Sequence, residues 1–139
     1  EYLDNVYSRD NLKLYWSHNL IENGDPDTFE KLDIYYAKDK NNVYLFGQNE
    51  NKFDAETFEV LSTRWQKDRH SIYYKGKVVE GSDPATFQIL YNEYAKDKNN
   101  VYKFEWIIEG ADTNTFEIVD RHILQKDKNY NYRFGEIIE

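Results

Sequence analysis

Five aspartates, Asp10, Asp39, Asp68, Asp97 and Asp127, each follow a basic residue, and asparagines such as Asn41 and Asn99 stand two positions on. Oxygen-bearing side chains at alternate positions are how a calcium loop begins. Such a loop also needs a third oxygen ligand, a glycine at its sixth position and a distal bidentate glutamate, and no copy in this chain supplies all three. The chemistry left to these aspartates is local: each carboxylate can accept backbone N–H groups two residues on and fix a turn. His18, His70 and His122 fall at three different places in the repeat described below, so they do not form a metal-binding trio. The chain has no cysteine, which excludes thiol catalysis and thiolate metal sites. With 26 acidic residues, some carboxylates fall close by chance and carry no acid–base signature. Neither a nucleophile elbow nor a phosphate-cradling glycine loop is present. The chain is therefore not expected to be an enzyme, and no cofactor or metal is expected.

The aspartates belong to a repeat. The nonapeptide YAKDKNNVY occurs as Tyr36 to Tyr44 and again as Tyr94 to Tyr102, 58 residues apart. Diverged copies open at Tyr7 (YSRDNLKLY), Trp65 (WQKDRHSIY) and Leu124 (LQKDKNYNY). The step between copies is 29 residues, and 30 for the last. A Thr-Phe pair keeps the same step at Thr28-Phe29, Thr57-Phe58, Thr86-Phe87 and Thr115-Phe116, preceded by Asp25, Asp54, Asp83 and Asp112. The extra residue of the last unit must lie between Phe116 and Leu124. A fixed period over most of the chain marks a repeat architecture, here a single repeat domain over 1–139 with units 7–35, 36–64, 65–93, 94–123 and a partial 124–139.

Within each unit the apolar segments are four to six residues long, rich in aromatic and β-branched residues and too short for ordinary helices. FEVL (58–61), WQKD (65–68), VYLF (43–46) and KVVE (77–80) read as strands. KDKNN reads as an aspartate-capped reversal, and Lys75-Gly76 as a two-residue hairpin turn whose second position needs positive φ. Gly47 and Gly135 share that column, while His18 and Glu105 replace the glycine elsewhere, so the turn type should vary. DPATF is the one briefly helical stretch, with Asp83 as N-cap and Pro84 at the first helical position. The expected fold is all-β, an elongated array of tandem hairpin or meander repeats; the alternative is a β-solenoid with one unit per coil.

Tyrosine, phenylalanine and tryptophan number 13, 8 and 3. One column runs Tyr7, Tyr36, Trp65, Tyr94 and Leu124, and a second Tyr15, Tyr44, Tyr73, Tyr102 and Tyr132. Both are expected to form the core, because a short unit cannot bury its own apolar face and must stack on its neighbours. The residues just after the second column, Trp16, Leu45, Tyr74, Lys103 and Arg133, alternate to the other strand face. Trp16, Leu45 and Tyr74 are accordingly the expected binding surface, an exposed platform for a partner protein or a sugar face.

The recurring DKNNVY, the terminal KDKNYNY and the stretch YYKGKVVEGSDPATFQIL between them resemble the DKNYY family of bacterial repeat proteins from Tyr7 to Glu139. The likeness is weakest at RDNLKLY in the first unit and at QNENK (48–52). The family implies no catalytic residues. The tyrosine-rich hairpins also resemble the YYxxG pattern of cell-wall-binding repeats, although those have a period nearer twenty. The expected role is a non-catalytic module for protein contact or spacing in a secreted or cell-envelope protein, with carbohydrate or cell-wall binding as the alternative. A net charge of −8 argues against nucleic acid or an anionic membrane surface as partner. No apolar run reaches the ~20 residues of a membrane span. With no methionine at position 1 or elsewhere, the chain is expected to be trimmed or processed, any signal or anchor lying upstream.

Overall fold

The computed structural model describes residues 1, 3, 6–120 and 123–138. Among these residues there are strands and turns but no helix. The strands form five small antiparallel sheets of three to four strands. The first holds β1 (Tyr7–Arg9), β2 (Leu14–Trp16) and β3 (Asn19–Ile21), in that order. The second holds β4 (Glu30–Lys31), β5 (Tyr36–Lys38), β6 (Val43–Leu45) and β7 (Gln48–Asn49). These belong to a compact unit, Glu1–Thr63, which ends in sequence with β8 (Glu59–Val60).

A second compact unit, Arg64–Glu139, begins one residue before the third nonapeptide. Its strands are β9 (Trp65–Lys67), β10 (Ile72–Tyr74) and β11 (Lys77–Val78), then β12 (Gln88–Tyr91), β13 (Tyr94–Lys96), β14 (Val101–Lys103) and β15 (Trp106–Ile107). The last sheet is β16 (Glu117–Asp120), β17 (Leu124–Lys126), β18 (Asn131–Arg133) and β19 (Glu136–Ile138). Every sheet is a meander, with neighbours in sequence paired antiparallel. A solenoid would instead pair equal columns of successive units; here Tyr94 faces Lys103 and Tyr102 faces Ile107 within one unit. The solenoid alternative is thereby excluded.

Within each compact unit the strand after a Thr-Phe pair joins the nonapeptide that follows it, so these sheets are staggered relative to the sequence units: β4 pairs β5, β12 pairs β13 and β16 pairs β17. Both pairings carry the same bulge, at Ile89/Tyr91 and at Ile118/Asp120. Tyr91 faces Tyr94, whereas Asp120 faces Leu124, which places the extra residue of the last unit between Asp120 and Leu124. QNENK, the weakest match in sequence, still supplies an edge strand, β7.

The two-residue hairpins form as read. Lys75 and Gly76 are both left-handed (φ 48° and 77°), as are Phe46 and Gly47, Phe134 and Gly135, and Ser17 and His18. At Phe104-Glu105 only the first residue is left-handed (φ 56°), so the turn does vary. DPATF departs from expectation: it makes a single turn, with Thr86 N–H donating to Asp83 O at 3.2 Å, and no helix follows. The chain leaves the turn at once because Phe87 is drawn against Trp65, with ring centroids 5.1 Å apart.

That phenylalanine is the wedge between sheets. Phe29 lies 4.9 Å from Tyr7 of one sheet and 6.4 Å from Tyr44 of the next; Phe87 spans Trp65 and Tyr102 in the same way, at 5.1 and 6.3 Å. Tyr7, Leu14 and Ile21 of the first sheet thus share a core with Ala37 and Tyr44 of the second. Tyr94, Val101 and Ile108 share another with Phe116 and Tyr132. The two aromatic columns are core as expected, apart from the half-buried Tyr15 and Leu124 at their ends.

Candidate functional site

The aspartates come first, since they carried the strongest suggestion of chemistry. In the fourth nonapeptide, Asp97 Oδ1 accepts the N–H groups of Asn99 at 2.7 Å and Asn100 at 2.9 Å. Its Oδ2 accepts the Tyr102 hydroxyl at 2.7 Å and the Asp83 N–H, also at 2.7 Å. A carboxylate offers about four lone-pair sites, and all are taken. Asp127 repeats the arrangement with Asn129, Tyr130, Tyr132 and Asp112. Asp39 does so with Asn41, Asn42, Tyr44 and Asp25. Even the divergent first copy holds: Asp10 accepts from Leu12, Lys13 and Tyr15.

The acid three residues before each Thr-Phe pair closes the knot. Asp83 accepts the Ala85 N–H and the Thr86 hydroxyl, while Thr86 Oγ1 accepts the Lys98 N–H at 3.1 Å. Lys98 then places its ammonium 2.7 Å from Asp83. Thr115, Lys128 and Asp112 repeat this, with the ion pair at 2.8 Å. Lys128 beside it, with the Thr115 hydroxyl, lowers Asp112 to about 2. Burial alone would raise Asp127, but the hydrogen bonds from Asp112, Tyr132, Asn129 and Tyr130 outweigh it and hold the carboxyl below its usual range. The tyrosine partners move the other way, Tyr102 and Tyr132 being raised by burial and by the adjoining aspartate.

Asp39, Asp97 and Asp127 thus have their lone pairs committed to protein donors, and among the described residues no group of three or more His, Asp or Glu side chains could hold a metal ion. His18 sits exposed in the first hairpin turn, and His70 is exposed in the turn that Asp68 caps. His122 lies outside the described residues.

Of the expected platform of Trp16, Leu45 and Tyr74, the structure buries Tyr74. Tyr74 is only 6 % exposed, and Trp16 and Leu45 are half-buried. At Trp16 and Tyr74 the next repeat's hairpin turn rests on the column. Gly47 lies so close over Trp16 that a Cβ there would fall 2.4 Å from Trp16 Cβ and Cγ. The Phe104 ring meets Tyr74 at 5.5 Å, and Lys103 stands 5.5 Å above the Phe134 ring while donating to the Phe134 carbonyl. These contacts hold Phe104 and Phe134 in left-handed backbone that bulky residues rarely adopt.

What remains open is the last strand of the sheets. Leu20, Val78, Ile107 and Ile137 occupy one column of the repeat there, each between 38 and 51 % exposed, with Asn49 at the second unit's position. Trp106 precedes Ile107 and is 67 % exposed. Sequence reasoning read KVVE as a strand but did not single out this column; its regular 29-residue spacing was the available signal. Around Trp106 the surface is concave, a cavity of about 530 Å³ lined by Val78, Glu80, Glu105, Ile107 and Glu109 together with Trp106 and Lys77. Lys77 spans it to Glu105 at 3.0 Å, and a backbone hydrogen bond, then Lys77, hold the Glu105 carboxyl low.

These features define a class: an all-β repeat protein of short meanders whose turns are tied by aspartate–tyrosine and aspartate–threonine–lysine bonds. The chain belongs to the DKNYY family, whose model matches residues 7–136. No curated protein and no solved structure matches it.

Proposed function

We propose that this chain is a non-catalytic repeat module that makes protein contacts, acting in the bacterial cell envelope. One observation carries the reading: the nonapeptide aspartates are engaged by the turns they cap, whereas the apolar column Leu20, Val78, Ile107 and Ile137 stands exposed on edge strands. Edge strands with apolar side chains are where proteins add a partner's strand. Carbohydrate or cell-wall binding is the second reading, favoured by the exposed Trp106 ring, which could stack on a sugar face.

The test compares the immobilised protein with a variant carrying Leu20→Asp, Val78→Asp, Ile107→Asp and Ile137→Asp, its melting curve checked first. Both are exposed to cross-linked envelope extract and, separately, to insoluble peptidoglycan. Expected are discrete proteins held by the parent and lost from the variant, with no sedimentation on glycan. Saturable sedimentation abolished by Trp106→Ala would establish the second reading instead. Capture unaffected by the four aspartates would remove the edge column from consideration.

A further inference from the structure

The groove at Trp106 has edges, charge and an aromatic wall, and together they specify an occupant. β11 pairs only with β10, and β15 only with β14. In each two-residue hairpin the residues flanking the turn, Tyr74 with Lys77 and Lys103 with Trp106, form the hydrogen-bonded pair. Val78 and Ile107 therefore take the alternate sites, and their N–H and C=O groups point off the sheet edge. Lys77 is engaged with Glu105, and among the described residues no cation pairs with Glu80 or Glu109. An open aromatic face beside two unpaired carboxylates attracts a cation both through the ring quadrupole and through charge.

We propose that this groove binds an extended, basic segment of a partner protein. Its backbone pairs with the free edge at Val78 or Ile107, and a lysine or arginine lies over Trp106 between Glu80 and Glu109. Alternate apolar side chains of the segment cover Val78 and Ile107. This rests on the protein-contact reading above and adds to it the chemistry of the partner.

The probe is a fluorescently labelled, end-blocked nonapeptide of alternating valine and lysine. Its comparisons are the same peptide with glutamate for lysine, a version N-methylated at alternate residues, and a tetramer of N-acetylglucosamine. Anisotropy should show the lysine peptide binding at least tenfold tighter than the glutamate peptide, with N-methylation abolishing binding and added salt weakening it. Trp106→Ala, and Glu80→Lys with Glu109→Lys, should each weaken it tenfold or more while melting curves stay unchanged. Equal binding of the two peptides, or binding indifferent to Trp106→Ala, overturns the proposal. So does quenching of Trp106 by the sugar with no peptide binding. Should the lysine peptide fail while envelope capture still depends on Leu20 and Ile137, the groove assignment falls and the protein-contact reading stands.

Discussion

Asp97 is 4 % exposed, yet it is an acid that bonds four donors rather than a cation. Read from sequence, its loss resembles that of a single cap, about 0.5–2 kcal/mol. The structure raises the expectation for Asp97→Ala to about 2–4 kcal/mol, because several backbone N–H groups and a buried hydroxyl lose their acceptor together. Urea unfolding measures it, and calcium should leave the midpoint of parent and variant unmoved. A calcium-dependent rise that vanishes in Asp97→Ala would contradict the saturated carboxylate. Tyr74 offers a second test at this scale. Tyr44 is fully buried, and Tyr44→Ala should cost about 3–5 kcal/mol. A ring on an exposed platform would be removable without harm. Enclosed between Trp65 at 4.8 Å and Phe104 at 5.5 Å, Tyr74 should instead melt early on truncation, much as Tyr44 does.

Between elements, stability lies where a hairpin turn meets the strand of the preceding repeat, as at Gly47 on Trp16 and Phe104 on Tyr74. Gly47 (φ +75°) has Trp16 where its Cβ would go, while Gly110 (φ +76°) has nothing within 4 Å. Gly110→Ala should therefore cost only the backbone penalty, about 1–2 kcal/mol. Gly47→Ala should add an overpacking cost of about 1–3 kcal/mol. Placing Trp16→Ala in the Gly47→Ala background should recover the second part and not the first. A double-mutant cycle in denaturant would show a coupling of about 1 kcal/mol or more. Strictly additive effects would mean that the turn does not rest on the tryptophan.

Over the whole molecule, the repeated turns make stability respond to pH at both extremes. Asp112 titrates near 2 rather than 3.8, and Asp83 and Asp25 are lowered too, chiefly by Lys98 and Lys40. A depressed carboxyl stabilises the fold above its unfolded value and loses that contribution as pH falls through the folded one. Melting temperature should therefore drop progressively from about pH 3.8 toward 2. The phenols act oppositely: burial pushes Tyr36 and Tyr94 from 10.0 to about 12. A raised phenol stabilises below its unfolded value, so stability should fall again as pH climbs from 10.0 toward 12. A pH series of thermal melts would reveal both limbs, and Lys128→Met should shrink the acid one.

The period, the meander of short strands, the aspartate-capped reversals and the two core columns were all legible in the sequence. Each depends on residues within one unit: alternation along a strand, an acceptor two residues before its donors, a glycine where φ turns positive. Which strand face stays exposed was not legible there. Alternation separates the two faces of a strand, but it does not say which face a neighbouring sheet covers. Trp16 and Tyr74 lie off the columns read as core, yet the next hairpin turn closes over them. Only that packing, which depends on where Phe29 and Phe87 wedge one sheet against the next, decided that Tyr74 is interior and that the edge at Val78, Trp106 and Ile107 stays exposed.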